Sequence, residues 1–511
     1  MRHLTLPVLL SLVACDPWSN LRTNANVSVA GPLWSPADVV ARVDGVYAPL
    51  PAAGRLVRVA ADASVAEVDL DGGFLHQLAS GADDATLVGF LERYTCADPK
   101  ADVVDDCKRD ELGVHPSLAV VRGGAVDREI ALDAAYNAIS FADDGRWAVA
   151  YFDFDTLDLS DSGVVSLNAV VAIDLDTGAS TPVAVGFDAD QVLFTYEANG
   201  AASRAVVLSQ SSVAVIDLTG TVPARTTTFP LALDADAVIV PSDVVLTPDG
   251  QYALIATATT SDLYALDLVN ESINIVELDG VPASLTVDAL HDRTWITYRT
   301  GPVAVDALNH AGFELERYDF EERMTEIVLA DGVALAWGRG LRDVYRIDLN
   351  TSDVVEYRLQ NPASDAFVDP AGQTGVVVTS ASFGGGPSAY PGLELLDLTD
   401  DGVVPYKLEG FGVGVAFTES ASGTRLLLLQ EGVDYLLSLD LGSGGMSEVS
   451  LPAPPVAIGA LPGGPFYITH ETSTGLVSFL SADDALSSAG GFATLGLAEE
   501  TPVVSDDGEG E

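Results

Sequence analysis

Residues 243–278 read DVVLTPDGQYALIATATTSDLYALDLVNESINIVEL, and this stretch decides the fold. Residues 244–247 are a short β-branched run. In Pro248-Asp249-Gly250 the proline presets one turn angle and the glycine tolerates a positive φ. Residues 252–257 make a second strand, with Tyr252, Leu254 and Ala256 on one face and Ala253, Ile255 and Thr257 on the other. Neither face is charged, so both are expected to be covered. Residues 263–268 make a third strand that holds Asp267, and Asn270-Glu271-Ser272 turns into a fourth at residues 273–278. Short strands joined by tight turns imply an antiparallel meander. A single four-stranded sheet cannot hide two apolar faces, whereas equivalent sheets stacked around an axis can.

The end of the third strand serves as a ruler. It recurs as VVAIDL at Asp174, VAVIDL at Asp217, LYALDL at Asp267, VAVDAL at Asp306, VYRIDL at Asp348, LELLDL at Asp397 and LLSLDL at Asp440. The intervals are 43, 50, 39, 42, 49 and 43 residues, which fits one propeller blade per repeat. The opening of the second strand recurs as well, in ADDGRWAVA from Ala142, TPDGQYALI from Thr247, DPAGQTGVV from Asp369 and SASGTRLLL from Ser420. Each repeated aspartate is expected to cap backbone N–H groups in its turn.

These motifs resemble the WD40-like and YVTN-type bacterial β-propellers, in which a PDG turn opens one strand and an hhhhDL strand follows. The resemblance implies an all-β propeller of four-stranded antiparallel blades across residues 35–497. Ten blade-like units can be counted, and seven to ten blades are expected, in one ring or in two joined rings. Single propellers usually have four to eight. No Pro/Ser linker interrupts residues 35–497, which favours one body. The scaffold itself carries many activities, so it does not name one.

Residues 1–14 read as a signal peptide, with Arg2 ahead of an apolar run far too short to span a bilayer. Leu12-Val13-Ala14-Cys15 resembles the bacterial lipoprotein box, which implies lipidation of Cys15 and cleavage before it. Residues 15–34 then form a polar tether. Residues 498–511 form an acidic tail without periodicity, expected to be disordered. The expected location is the bacterial cell envelope, lipid-anchored and extracytoplasmic.

Three insertions interrupt the repeat. The first spans residues 95–116 and holds Cys96 and Cys107, the two cysteines besides Cys15. In an exported protein such a pair reads as a disulfide closing a small loop. The second begins at Asp153; Asp153, Asp155, Asp158 and Asp161 could offer hard oxygen ligands to Ca²⁺. Their spacing is not that of an EF-hand, and a solvated acidic loop is the plainer reading. The third, SASFGGGPSAYPG from Ser380, is rich in glycine and proline.

Composition narrows the function. The formal net charge is −51, from 24 basic and 75 acidic residues. Phosphates and anionic lipid surfaces would be repelled, so nucleic-acid binding is not expected and membrane contact rests on the lipid anchor. The chain has no G-x-S-x-G elbow, P-loop, H-E-x-x-H, C-x-x-C or dinucleotide fingerprint. His76, His115, His291, His310 and His470 are scattered without ligand spacing and read as surface or satisfied turn residues. AIDLDTGAS from Ala172 looks like the quinoprotein repeat but lacks its docking tryptophan.

Two functional readings remain. In the first, the propeller is a scaffold that binds an envelope protein or a glycan through rim loops and needs no cofactor. It is similar in this to the propeller lipoprotein of the outer-membrane assembly machinery. In the second, it is a hydrolase similar to lactonase propellers, with carboxylates at the axis and Ca²⁺ as the cation. Acidic side chains converging on the axis are the feature that would favour the second.

Overall fold

The computed structural model describes residues 34–492, except 37, 51–53, 72, 82, 97–111, 155–166, 232–238, 380–390, 401, 421–422, 474 and 482–484. Their regular structure is forty strands in ten four-stranded antiparallel sheets, each built from four consecutive strands. The blades are numbered 1–10 and span residues 40–68, 74–131, 138–184, 189–230, 241–277, 282–319, 326–358, 363–407, 412–450 and 455–490. The chain is a ten-bladed β-propeller, so the large single ring is the solution adopted.

Blade 5 shows how the sequence dictates this. Its strands are β17 (Pro241–Leu246), β18 (Tyr252–Thr257), β19 (Asp262–Asp267) and β20 (Ser272–Glu277). Alternate side chains of β18 face opposite ways. Ala253 and Ile255 pack into blade 4, while Leu254 and Ala256 pack into blade 6. The same division repeats around the molecule. The buried apolar residues fall into ten clusters, each shared by two neighbouring blades. Ten interfaces for ten blades means that the circle is closed.

The closing interface joins blade 1 to blade 10 without sharing a strand, since each sheet comes from one continuous segment. Val46, Ala48, Leu50, Val57 and Val59 meet Leu461, Val477, Phe479, Ala489 and Phe492 there. Trp34 completes the seam. Its Nε1 donates to the Thr472 carbonyl at 2.6 Å, and its ring stands edge-on to Phe492 at 5.1 Å and 80°.

The repeated turns work as their residues predict. Gly145, Gly250 and Gly372 have φ of 71°, 66° and 66°, a backbone that glycine adopts without a Cβ penalty. The third-strand aspartates cap the following turns. Asp267 accepts the N–H groups of Val269 and Asn270 at 3.0 and 2.8 Å. Asp348 accepts those of Asn350 and Thr351 at 2.9 and 3.0 Å. Asp397 accepts those of Thr399 and Asp400 at 2.9 and 3.0 Å.

Asp306 breaks this series and corrects the ruler. Register pairs Arg293 with Asn309 as it pairs Tyr252 with Asp267, so Asn309 holds the turn position in blade 6. Its side-chain oxygen accepts the Ala311 N–H at 2.9 Å, the same task done by an amide. Asp306 lies three residues earlier, fully buried inside its strand and paired with Arg317. The first insertion is also shorter than expected. The ladder between β6 (Thr86–Cys96) and β7 (Leu112–Arg122) runs out to the pair Cys96 and Leu112.

Candidate functional site: the insertion-bearing face and the channel mouth

The first strand of each blade lines the axis, because the first strands of neighbouring blades approach one another. The fourth strands are outermost and largely exposed, as in β20 and in β36 (Met446–Ser450). In a meander, the connections from second to third strand and from fourth strand to the next blade then leave on one face, here called the upper face. The first insertion leaves β6 and re-enters at β7, both in blade 2. The second leaves β10 (Trp147–Tyr151) and re-enters at β11 (Ala169–Asp174) in blade 3. The third leaves β30 (Thr374–Thr379) and re-enters at β31 (Gly392–Asp397) in blade 8. All three join a second strand to a third, so all three open on the upper face. Trp34 bonds Thr472, which lies between the second and third strands of blade 10, and Phe492 packs on Trp34, so both ends of the described chain reach this face too.

The inner strands share a local irregularity there. A β-bulge interrupts the pairing near the start of the first strand in blades 2, 4, 5, 6, 8, 9 and 10. Bulges re-aim side chains at barrel and propeller rims. The residue after the bulge is Asp243 in blade 5, Ser284 in blade 6 and Asp365 in blade 8. Glu326 occupies the matching register in blade 7.

Asp243 and Ser284 brace one blade to the next, and the three acids put charge at the channel mouth. Asp243 Oδ2 accepts the N–H of Leu285 in blade 6 at 2.6 Å. Ser284 lies 2.8 Å from the Thr297 hydroxyl, which donates to the Thr325 carbonyl beside blade 7 at 3.0 Å. Burial lifts the Asp243 carboxyl above its ordinary value, against the pull of the Leu285 N–H. Glu326 is lifted by the wall around it and further by Asp365, with Arg339 opposing. Asp365 is lifted by desolvation, with the Ala366 N–H and Arg339 opposing. Solvent reaches Glu326 and Asp365, but the protein on either flank removes part of their hydration.

This predicts a pH response. A carboxyl whose folded pKa is raised makes the native state bind its proton first, so its cost appears as pH rises through that value. The double variant Glu326→Gln, Asp365→Asn is therefore expected to melt higher than the wild type at pH 7 and level with it near pH 4. Melting curves across that range check it; parallel curves would refute it. The turn aspartates act in the opposite sense. Asp217 is held low by the Thr219 hydroxyl and Asp348 by the Asn350 N–H, so their contribution is lost as pH falls below about 4.

Beneath the mouth lies a set of buried polar side chains. The last residue of the second strand is Ser209, Thr257, Tyr298, Thr379, Gln430 and His470 in blades 4, 5, 6, 8, 9 and 10, each 1% exposed or less. Gln430 Oε1 accepts the N–H groups of Glu409 and Gly410 at 2.9 and 3.1 Å, which pins the connection into blade 9. His470 Nδ1 bonds the Ala453 carbonyl at 2.8 Å and so pins the connection into blade 10. Its Nε2 meets Ser478 Oγ at 2.7 Å, and Ser478 meets Ser488 at 2.8 Å. Burial depresses the His470 pKa. Although His470 and Ser478 have the geometry of a base and a nucleophile, both are sealed from solvent, so the pair is structural. Glu394 does a similar job in blade 8, accepting the Gln360 and Asn361 N–H groups.

The residues singled out in the sequence are dispersed. Asp153 exchanges backbone hydrogen bonds with the Asn137 amide at 2.8 and 2.9 Å. Asp155, Asp158 and Asp161 lie outside the described residues, as do Cys15, Cys107 and the Cys96 side chain. His76 pairs with Glu92 at 3.0 Å, His115 with Thr95 at 2.9 Å and His291 with Asp288 at 2.9 Å. His310 is 6% exposed and bridges Thr294 and Asp292, so it and His470 are core residues, not surface ones. Among the described residues no group of three or more His, Cys, Asp or Glu is placed to hold a metal ion. No helix among them is long and apolar enough to cross a membrane. Sequence reading missed both the bulge position and the buried polar position. The second had a visible signal in four blades: VVLS, LIAT, VVVT and LLLQ each end an apolar run on a polar residue.

No family model and no curated protein matches this chain. Among solved structures it is similar to the dihydro-heme d1 dehydrogenase NirN in complex with DHE, at 14% identity, over 66% of this chain and 71% of that one, with a TM-score of 0.41. It is similar to the hydrazine synthase of Kuenenia stuttgartiensis at 15% identity, over 58% and 94%, with a TM-score of 0.33. It is similar to virginiamycin B lyase from Staphylococcus aureus with quinupristin at 13% identity, over 52% and 88%, with a TM-score of 0.31. At these levels no activity passes from those proteins to this chain.

Proposed function

We propose that this chain is a lipid-anchored, extracytoplasmic β-propeller that binds an envelope protein or a glycan through its upper face. The observation that carries the reading is that all three insertions join second strands to third strands and so open on one face of the ring. Loops positioned by a rigid scaffold are where binding residues concentrate. Residues 1–14 direct export in this reading, Cys15 carries the lipid, and the tether that follows ends at residue 33, since Trp34, read in the sequence as its last residue, is packed into the ring seam.

The test is affinity capture from detergent-solubilised envelope with the whole chain. Replacing residues 97–111, 155–166 and 380–390 by short turns is expected to lower partner recovery by about tenfold or more while the melting transition persists. Cys15→Ser should release the protein from membranes without loss of partner. Equal recovery with and without the insertions would overturn the reading.

One observation favours a second reading, a lactonase- or hydrolase-type propeller: Asp243, Glu326 and Asp365 stand on inner strands with carboxyls above their ordinary range. In that reading they serve as bases or hold Ca²⁺. Turnover of a lactone that is abolished by Asp365→Asn would establish it in place of the scaffold.

A further inference from the structure

The inner wall is amphipathic around the axis. Acidic residues mark the mouth on blades 5, 7 and 8, at Asp243, Glu326 and Asp365. In blade 9 the matching register falls on Gly414, and just ahead of it stand the bulged residue Val413, 40% exposed, and Phe411, 41% exposed. Gly412 and Gly414 flank Val413, so this part of the wall is low and apolar. Further into the channel each inner strand presents half-buried apolar side chains, including Ile139, Leu193, Val245, Leu329, Phe367 and Ile458. They pack against the inter-blade clusters and keep part of their surface exposed.

The size of the opening follows from the blade count. Sheets stack about 10 Å apart, so ten inner strands spaced by roughly 8–10 Å make a circle about 25–30 Å across, and side chains on both walls leave a bore of about 15 Å. An α-helix with its side chains is about 10–12 Å wide.

We propose that the channel mouth on the upper face is a docking surface for a cationic, amphipathic helical segment of a partner protein. The proposal deepens the scaffold reading and rests on it for the presence of a partner. Charge complementarity selects the occupant. The full chain carries a formal net charge of −51, and the mouth places carboxylates near an exposed phenylalanine and valine. Arg339, on the loop after β26 (Val333–Trp337), faces Glu326 and Asp365 and offsets them only in part. A helix with lysines or arginines on one side and leucines on the other would meet the acids of blades 5–8 and the apolar sector of blade 9 at once.

The experiment uses the full chain and two labelled 20-residue Lys/Leu peptides of identical composition. One is patterned as an amphipathic helix, and the other is scrambled. Fluorescence anisotropy is expected to show the patterned peptide binding about tenfold tighter than the scrambled one. Glu326→Gln with Asp365→Asn should weaken it by about tenfold, and Phe411→Ser with Val413→Ser by several-fold even at high salt. Asp319→Asn with Glu448→Gln removes the same charge from outer strands and should change nothing. Equal binding of the two peptides, or equal losses from inner and outer charge removal, would mean diffuse attraction and would overturn the proposal. So would closure of the mouth by a second copy of the chain, seen by sedimentation, or by tight stoichiometric Ca²⁺ that blocks the peptide. If envelope capture fails while the peptide result holds, the docking surface stands and the envelope-scaffold reading falls. The reverse pattern keeps the scaffold and removes this surface.

Discussion

Trp34→Ala is expected to open the ring between blades 1 and 10 and to lower stability by about 3–5 kcal/mol, the usual cost of truncating a buried tryptophan. Trp34 is 2% exposed and serves two contacts. Its indole N–H reaches the Thr472 carbonyl, and its ring meets Phe492 edge-on. Both partners lie more than 430 residues away in sequence. Nine of the ten interfaces join blades that follow one another along the chain. The tenth joins the first to the last, no strand crosses it, and its formation closes the longest loop in the molecule. Blades 1 and 10 should therefore separate before the rest of the ring melts. Hydrogen exchange should show accelerated opening in residues 40–68 and 455–490 and little change in residues 241–319. Trp34→Phe keeps most of the packing and should lose roughly 1 kcal/mol for the missing hydrogen bond. Trp295→Ala serves as the comparison. It costs a similar amount but should destabilise blades 6 and 7 and leave the seam intact. Uniform exchange across the ring in Trp34→Ala would show that the closing interface is no weaker than the others.

Much of this architecture could be read directly from the chain. A blade needs two apolar faces on its central strands, a turn residue that tolerates positive φ, and a carboxylate or amide to cap the turn between third and fourth strands. Each of these leaves a local trace, and TPDGQYALIAT and LYALDL carry all three. Ten blade-like units could be counted, but the spacing left seven to ten blades in one ring or two, and the ten sheets of the structure decide it. The ruler slipped at Asp306 because asparagine can do the cap's work, and Asn309 offered no acidic signal to mark it. The channel mouth was harder to see. Asp243, Glu326 and Asp365 lie 83 and 39 residues apart and become neighbours in role only when the ring sets their strands around one axis. In blades 5 and 8 a bulge shifts the acid by one residue, so simple alternation assigns Asp243 and Asp365 to the wrong face. The common face of the three insertions was also implicit. It follows from their lying between second and third strands, once the first strands are known to be innermost.

Arg317→Ala is the second large effect, again about 3–5 kcal/mol, and its cause is electrostatic. Asp306 lies within β23 (Ala304–Asn309) at 0% exposure. Arg317 grips it with two parallel bonds, Nε to Oδ1 at 2.9 Å and Nη2 to Oδ2 at 2.8 Å. The Tyr298 hydroxyl donates to the same Oδ2, and burial, with that contact second, pushes the phenol's pKa well above its ordinary value. Removing Arg317 leaves a carboxylate in the core with only a phenol for company, and an unpaired buried charge is what makes such substitutions severe. Arg317→Lys should recover part of the loss, since an ammonium cannot reproduce the two-pronged contact. Asp279 gives the contrast. It also bonds Arg317, at 2.6 Å, but it is 69% exposed. Asp279→Asn should therefore cost less than about 1 kcal/mol, as exposed pairs do. Replacing Asp306 and Arg317 together by leucine removes the charge along with its partner and should be milder than Arg317→Ala alone. Urea unfolding of the four variants separates these cases. A double variant worse than Arg317→Ala would mean that the pair contributes net stability to the strand, and that the penalty does not come from leaving one charge behind.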